Sequence, residues 1–412
     1  MSGPAAHSSE LRRLSVLIAT CFVDMIGFAI VFPLMPFYAL RLHATPLDVG
    51  LIMSAFSAAQ ILSAPMWGRV SDRYGRRPAL LVGLLASAAA FVVFGLADTL
   101  WLLFVSRLIQ GAGGGTTGVA QAYIADTVAP GQRARALGWL SAATSAGVML
   151  GPAIGSSASN LGSEAPGFIA AALCLMNAGF AWRWLPESSV RDAAGATPAR
   201  RPPVWHTAWE VVRHPARPVS RLVWIYGAGM LAFSALSGVV ALYLGAEFGI
   251  DETTIGYVFF YQGGLSVVIR SLLLGPIVDR VGERWAMRLG TFSMIAGLIL
   301  YPQPRSLWTL AVVMPLIPIG TALLFPSTTA LVSRNTARAD YGTVMGVTQL
   351  FGGLARVLAP ILATAAFQHL GHPAPFYAAA AVVGLVSLLA FRVETPSHTV
   401  EGTPASATEA PS

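Results

Sequence analysis

The sequence predicts an all-α membrane protein with twelve transmembrane helices, arranged as two pseudo-symmetric six-helix halves. Three observations lead to this prediction. The 412-residue chain is 55% hydrophobic and only 11% charged, with a mean hydropathy of +0.64. Apolar stretches of roughly 20 residues, the length of a helix that crosses a bilayer, recur along most of the chain. A pattern of the first half also returns in the second half at a nearly constant spacing.

Each apolar stretch is predicted to be a helix, because a segment in lipid must satisfy its own backbone hydrogen bonds. Barrel strands would alternate in polarity over segments of about ten residues, and the sequence does not show that alternation. The first-half spans are predicted at 14–37, 47–67, 79–97, 100–124, 136–158 and 167–185. The second-half spans are predicted at 219–245, 254–275, 286–303, 307–331, 342–367 and 374–391.

The spans divide the chain into five predicted regions: an N-terminal segment 1–13, a first half 14–185, a linker 186–218, a second half 219–392 and a disordered tail 393–412. Arginines concentrate in the loops of one side, whereas the opposite loops contain only Arg41 and Arg305. The positive-inside rule therefore predicts a multi-pass protein of the cell inner membrane with both termini in the cytoplasm. The net charge of +7 is spread over separate loops, which argues against nucleic-acid binding.

Two loops carry the clearest repeat. Gly68-Arg-Val-Ser-Asp72-Arg73-Tyr-Gly75-Arg76-Arg77 matches Gly275-Pro-Ile-Val-Asp279-Arg280-Val-Gly282-Glu-Arg284, with each residue 207 positions from its partner. Trp101 and Trp308 keep this offset, and Pro152 and Pro360 are 208 positions apart. An offset that persists from the second span onward indicates duplication of a six-helix unit.

The loop from Gly68 to Pro78 combines glycines, which permit a tight reversal, with charges that can pair with neighbours or with a helix end. Asp126, at the end of span 4, is a candidate partner of Arg76 or Arg77. A solvated basic loop that only sets the topology is the alternative. The candidate residues of a conformational gate are Gly68, Asp72, Arg73, Gly75, Arg76, Arg77, Asp126, Asp279 and Arg280.

Two charged residues lie well inside predicted spans. Asp24 is the only carboxylate deep in a span, and removal from water disfavours the charged form of a carboxyl group. Arg107 in span 4 is costly in lipid and is expected to face a cavity or a partner. Each residue is alternatively a structural group that bonds neighbouring helices. Their depths differ by roughly 10 Å at 1.5 Å per residue, so direct contact and an indirect network through Gln110 or water both remain open.

Span 5 contains Gly147, Gly151, Pro152 and Gly155. A proline bends a helix, and glycines allow a second helix to approach closely. The second half keeps the proline, at position 360, but has alanines at positions 355, 359 and 363. Ordinary packing of small residues is the alternative explanation of this pattern.

These motifs together resemble the major facilitator superfamily over residues 10 to 395, and within it the bacterial twelve-helix drug:proton antiporters that include the tetracycline exporters. The resemblance implies a substrate site between the halves near the midplane and a loop that latches them. It also implies proton coupling through Asp24 and Arg107, and export from the Gly151-Pro152 pattern. Spans 3 and 9 lack the acidic residues of the tetracycline exporters, which argues against tetracycline itself.

The second half contributes two further arginines to its spans. Arg356, near the middle of span 11, either faces the cavity or bonds the carbonyls around Pro360. Arg270 lies closer to the end of span 8, where a long side chain can reach the membrane surface. The candidate substrate-cavity residues are Gln60, Gln121, Tyr257, Tyr261, Gln262, Gln349 and Arg356.

The sequence therefore favours a secondary transporter, not an enzyme, that exports small amphipathic molecules in exchange for protons by alternating access. Proton-coupled import of a metabolite and a non-transporting membrane scaffold remain alternatives. The sequence has no Walker-type phosphate loop and no metal-ligand cluster, so we expect an ion gradient to supply the energy without cofactor or metal. The expected partners are a small-molecule substrate, protons and the lipid bilayer, with no nucleic acid, and we expect a monomer.

Overall fold

The structure is a computed structural model that describes residues 4–188, 204–337 and 340–390. Within these ranges all the long regular elements are helices. The predicted tail 393–412, the linker residues 189–203 and Arg338 lie outside the described residues.

The first half begins with the helices α1 (Pro4–Val31), α2 (Met35–Arg41), α3 (Pro46–Tyr74), α4 (Arg76–Gly95), α5 (Leu100–Gly113), α6 (Thr116–Thr127), α7 (Arg133–Ser159) and α8 (Ala165–Trp184). A short linker helix follows, α9 (Val204–Arg213). The second half consists of α10 (Pro218–Phe248), α11 (Ile255–Val268), α12 (Leu274–Leu300), α13 (Leu307–Val313), α14 (Leu316–Arg334), α15 (Tyr341–Leu370) and α16 (Ala374–Ala390).

The predicted fold class is confirmed. In the described chain, nine helical segments are long and apolar enough to cross a membrane. The segment Ile255–Leu300 is 46 residues long and contains spans 8 and 9, which a non-helical backbone at Gly282 separates. Helices α5 and α6 together form span 4, and the shorter α16 forms span 12.

Several spans are interrupted where the sequence disfavours a continuous helix. The break between α5 and α6 coincides with three consecutive glycines, 113–115, and glycine is a poor helix former. The break between α1 and α2 contains Pro33, and Pro36 lies in the first turn of α2. The break before α14 contains Pro315. These interruptions divide three of the predicted spans into two helices each, without changing the count of spans.

The glycines of span 5 place α7 directly against the backbone of α1. A Cβ added to Gly151 would lie 2.5 Å from the Cβ of Ala29 and 2.7 Å from the carbonyl oxygen of Ile26. Gly147 and Gly155 meet α1 one turn away on either side. These three glycines of α7 therefore hold α1, the helix that carries Asp24, in a fixed position.

Polar contacts join the two halves at one face of the molecule. The Arg41 Nη1 atom of the first half is 3.3 Å from Glu252 Oε1 of the second half. The Ser156 hydroxyl donates to the Glu252 carbonyl oxygen at 2.7 Å and accepts a hydrogen bond from the Gly256 amide at 2.8 Å. These contacts lie at the ends of α2, α7 and α11, and we call this side the closed face.

A third polar contact extends the closed face to α3 and α15. The Leu47 amide donates to Gln368 Oε1 at 3.1 Å. The Gly68–Pro78 loop lies at the other end of α3, on the side that we call the loop face. The hydrogen bonds and the ion pair described above between the halves, from Arg41, Leu47, Ser156 and Gly256, all lie at the closed face. The two halves are therefore bonded to each other at the closed face.

The turn before α11 keeps Glu252 at this interface. The Asp251 carboxylate accepts hydrogen bonds from the amides and hydroxyls of Thr253 and Thr254. The bonds from Thr253 and then Thr254 hold the pKa of the Asp251 carboxyl below its usual range. The charged form of Asp251, which these four bonds require, is thereby favoured.

We expect Gly151→Val to destabilise the protein, because two methyl groups would enter the contact with Ile26 and Ala29. Over-packing of this kind costs about 1–3 kcal/mol, which corresponds to a melting temperature lower by several degrees. The measurement is thermal unfolding of the purified protein in detergent. Gly138→Val in the same helix is the control, because a Cβ on Gly138 meets no atom within 4 Å. Equal effects of the two substitutions would contradict the assigned packing.

Candidate substrate cavity and coupling residues

A cavity of about 390 Å³ lies between the two halves. Binding sites for small molecules commonly enclose roughly 300–1,000 Å³. The first half lines the cavity with residues of α1, α3, α5 and α7, and the second half with residues of α10, α11, α14 and α15. The cavity therefore has the position expected for a substrate site between two repeats.

Phenylalanines form a continuous aromatic wall across this cavity. The ring centroid of Phe28 lies 5.6 Å from that of Phe32 and 5.4 Å from that of Phe56. Phe32 also contacts Phe259 of the second half, with ring centroids 6.5 Å apart. The sequence analysis missed these residues, although the four-residue spacing of Phe28 and Phe32 places both on one side of a helix. The wall offers contact area to a flat apolar group.

Three arginines line the same cavity: Arg107, Arg270 and Arg356. Arg107 is buried, with 3% of its surface exposed, and its Nε and Nη2 atoms have no hydrogen-bond partner in the described chain. Arg270 lies in a single π-helical turn, Ile269–Leu273, between α11 and α12. Such turns are frequent at functional sites. Arg270 is exposed and also contributes to the cavity lining.

Asp24 lies outside the cavity lining, in the packed interior of the first half. Its carboxylate is buried and accepts one hydrogen bond, from the Thr116 hydroxyl at 3.0 Å. Thr116 is the first residue of α6, immediately after the three glycines. No ion pair joins Asp24 to Arg107 in the described chain, and the buried Gln110 amide has an unpaired oxygen. Of the two arrangements that the sequence left open, this conformation does not contain the direct one.

The predicted cavity residues fall into three groups: residues that line the cavity, residues bonded to backbone carbonyl oxygens, and exposed residues outside the lining. Gln262 and Arg356 line the cavity. Gln60 donates to a carbonyl oxygen at the break between α5 and α6, and Tyr261 donates to a carbonyl oxygen of α13. Three further candidates are exposed side chains that do not contribute to the lining: Gln121, Tyr257 and Gln349.

Arg76 holds together the ends of three helices at the loop face. Its Nε atom lies 2.9 Å from Asp126 Oδ2, and its Nη1 atom lies 2.5 Å from Asp72 Oδ1 and 2.7 Å from the Ser71 hydroxyl. Of the two arginines that the sequence proposed for Asp126, the structure pairs Arg76. All of these partners belong to the first half.

A carboxylate that the sequence analysis did not include in the gate caps the start of α4. Glu187 accepts hydrogen bonds from the backbone amides of Arg76 at 2.8 Å and Arg77 at 3.2 Å. The Arg77 guanidinium donates to the Trp182 carbonyl oxygen near the end of α8. A negative charge at a helix N-terminus is favourable, so Glu187 fixes the chain after α8 to the loop.

The second half repeats the Arg76–Asp126 ion pair with its charges reversed. Glu283 is 207 residues after Arg76, and Arg334 is 208 residues after Asp126. The Arg334 Nη2 atom lies 2.6 Å from Glu283 Oε1. Duplication has therefore kept an ion pair at this position, and each member of the pair has changed sign.

The remaining gate candidates of both halves lie at or near the repeated turn. Gly75 and Gly282 occupy equivalent positions and have φ angles of 106° and 77°, a region that favours glycine. Asp279 and Arg280 are exposed on α12. Arg73 is also exposed, with its guanidinium 5.4 Å from the centre of the Tyr74 ring. Gly68 lies on α3, where an added Cβ would meet open space.

Known proteins resemble this chain over nearly its full length. The family model of the Major Facilitator Superfamily matches residues 17–237 and 222–411. The class G tetracycline resistance protein of Vibrio anguillarum is 28% identical, over 86% of this chain and 91% of that protein. Multidrug resistance protein 2 of Bacillus subtilis is 27% identical, over 90% of this chain and 92% of that protein. The crystal structure of the human organic anion transporter MFSD10 is 24% identical, with a TM-score of 0.69, and the match covers 94% of this chain and 100% of that one.

We expect Arg76→Ala to lower the melting temperature of the protein, because the change removes three side-chain bonds and leaves Asp126 without its cation. The expected loss is about 1–2 kcal/mol, since the Arg76 side chain is only partly shielded from water. Thermal unfolding in detergent measures this loss. Arg69→Ala is the control, because Arg69 is exposed and has no partner in the described chain. A melting temperature of Arg76→Ala equal to that of the control would contradict the structural role.

Proposed function

Since the chain belongs to the major facilitator superfamily, we propose that it is a secondary active transporter that exports small amphipathic molecules in exchange for protons. The observation that carries this proposal is the environment of Asp24. A carboxyl group lies deep in a membrane-spanning helix, beside one neutral hydroxyl and without an ion-pair partner among the described residues. Ionisable groups in this situation in membrane proteins commonly carry protons or contact substrates.

Burial supports a proton-carrying role for Asp24. A carboxyl group that is kept from water disfavours its charged form, and access to water reverses that preference. A conformational cycle that exposes α1 first to one side of the membrane and then to the other would therefore load and release one proton. The glycine face of α7 packs against α1, so in the proposed mechanism α7 moves together with the helix that carries Asp24.

Span 4 supplies a physical link between the proton site and the cavity. Its first part, α5, carries Arg107, which lines the cavity. Its second part, α6, begins with Thr116, which bonds Asp24. The three glycines at the break between them are poor helix formers, and in the proposed mechanism span 4 bends there. In the proposed mechanism, substrate binding at Arg107 and proton binding at Asp24 both change contacts of span 4, the first through α5 and the second through α6.

Export is supported by two kinds of observation. The Gly151-Pro152 pattern lies at the contact between α7, α1 and the second half, and it resembles that of exporters. Two of the relatives reported above are a tetracycline resistance protein and a multidrug resistance protein. We further propose cytoplasmic termini, so that the loop face is cytoplasmic and the closed face lies on the opposite side of the membrane. We also propose that the transporter acts as a monomer.

Accumulation in cells tests the proposed direction of transport. A strain that expresses the protein is compared with an empty strain, with a panel of toxic amphipathic compounds as probes. Export lowers the internal concentration of at least one compound and raises the tolerated dose. A higher internal concentration would support the importer instead, and unchanged accumulation across the panel would support a scaffold.

We expect Asp24→Asn to abolish proton-driven transport, because an amide fills the same space but cannot bind and release a proton. The measurement is substrate flux driven by an imposed pH gradient in proteoliposomes. The control is Asp98→Asn, which removes an exposed carboxylate in the loop between α4 and α5. Both variants should retain the melting temperature of the unmodified protein to within a few degrees. Full gradient-driven flux in Asp24→Asn would exclude the proton-carrying role.

We expect Asp72→Asn to slow transport without changing which compounds are transported. Asp72 is exposed at the loop face and bonds Arg76, so the substitution affects a conformational step and not the cavity. Flux rates and the order of preference among several substrates give the two measurements. A changed order of preference at an unchanged rate would contradict this role.

A further inference from the structure

The charged side chains that line the cavity between the halves are all positive. Arg107, Arg270 and Arg356 line it, and no aspartate or glutamate is among the described residues of its lining. An arginine side chain keeps its positive charge in a protein, because its guanidinium does not lose a proton under ordinary conditions. The described walls of the cavity therefore bear cations without a built-in counter-charge.

These arginines have no partner elsewhere in the described structure. Arg107 leaves two buried nitrogen atoms without an acceptor. Arg270 and Arg356 form no hydrogen bond and no ion pair with the described residues. Asp24, the buried carboxylate of the first half, bonds Thr116 and is not part of the lining. A cation within a membrane protein is costly unless it meets an anion, a carbonyl or water, so an acceptor that comes from outside the chain would complete this site.

The phenylalanines that line the same cavity favour an apolar, flat molecule. The aromatic wall of Phe28, Phe32 and Phe56 reaches Phe259 of the second half. Aromatic rings bind other rings in stacked or edge-to-face arrangements. The volume of about 390 Å³ lies within the range of sites that bind drug-sized molecules.

We infer that the cavity binds amphipathic organic anions with an aromatic body and a carboxylate group, and that Arg356 and Arg270 of the second half bind the carboxylate. This inference rests on the proposed transport function and specifies its substrate class. A guanidinium presents parallel N–H donors that match the two oxygens of a carboxylate. A cationic drug would meet three like charges in the same space, without a carboxylate in the described lining to offset them.

Three probes of one shape separate charge from size. They are 2-naphthoate, its neutral amide 2-naphthamide, and the cation 2-naphthylmethylammonium. Their binding to the purified full-length protein in detergent is measured by calorimetry or by quenching of intrinsic fluorescence. We expect the carboxylate to bind more tightly than the amide by about tenfold or more, the factor typical of hydrogen bonds to a charged group. We expect the cation to bind most weakly of the three.

Substitution of individual arginines shows which of them bind the carboxylate. Arg356→Gln and Arg270→Gln should each weaken naphthoate binding by about tenfold and leave naphthamide binding within a factor of about two. Arg305→Gln is the matched control, because Arg305 is an exposed arginine of the same half outside the lining. It should change neither probe. If one variant fails to fold, the other variant and the comparison of probes on the unmodified protein still decide the question.

Two results would overturn the inference. Equal affinity for the three probes, or tighter binding of the cation, would show that the cavity does not select anions. An equal loss for naphthoate and naphthamide in Arg356→Gln, with a lower melting temperature, would make Arg356 a structural residue. Binding needs no proton gradient, so selective anion binding without gradient-driven flux would count against the proposed transport mechanism alone. Gradient-driven export of cations only would count against the anion site alone.

Discussion

A charge inside a membrane-spanning helix requires a partner, and two irregular parts of this structure lie beside such charges. Asp24 obtains a hydroxyl because span 4 breaks at three glycines and places Thr116 at the start of a new helix. Arg270 is held in a π-helical turn, where the backbone departs from regular α geometry. Arg107, by contrast, lies within the regular helix α5 and lines the cavity. The two interruptions therefore place a hydrogen-bond donor beside the buried acid and an arginine in the cavity lining.

The two halves share a scaffold but differ in chemistry. The ion pair at the loop face is kept in both halves with reversed signs, as Arg76–Asp126 and as Glu283–Arg334. The buried acid belongs to the first half, and two of the three cavity arginines belong to the second. Glycines place α7 against α1 in the first half, whereas alanines occupy the corresponding face of α15. In the proposed mechanism, proton exchange and substrate binding are accordingly divided between repeats of common origin.

The sequence predicted the fold well and the cavity poorly, for physical reasons. Helix length and hydrophobicity are local properties, so they identified the spans, and the repeat tied one half to the other. The sequence limited the partner of Asp126 to Arg76 or Arg77, because both arginines lie in one short loop, and the structure pairs Arg76. The cavity depends on which faces of separate helices meet. Phe28 and Phe259 are over 200 residues apart, and nothing local distinguishes them from core aromatics. Gln121 and Gln349 were selected as polar groups in apolar spans, but polarity does not fix which way a helix faces.

The positive charge of the cavity has an electrical consequence for transport across the membrane. A monoanion that leaves the cell and a proton that enters both move positive charge inward. One exchange of this kind transfers two elementary charges, and an interior-negative potential contributes about 2.3 kcal/mol per charge for each 100 mV. A carrier that exchanged monovalent cations for protons would transfer no net charge and would gain nothing from that potential. Three arginines without a neighbouring carboxylate would thus couple this protein to the membrane voltage as well as to the pH difference.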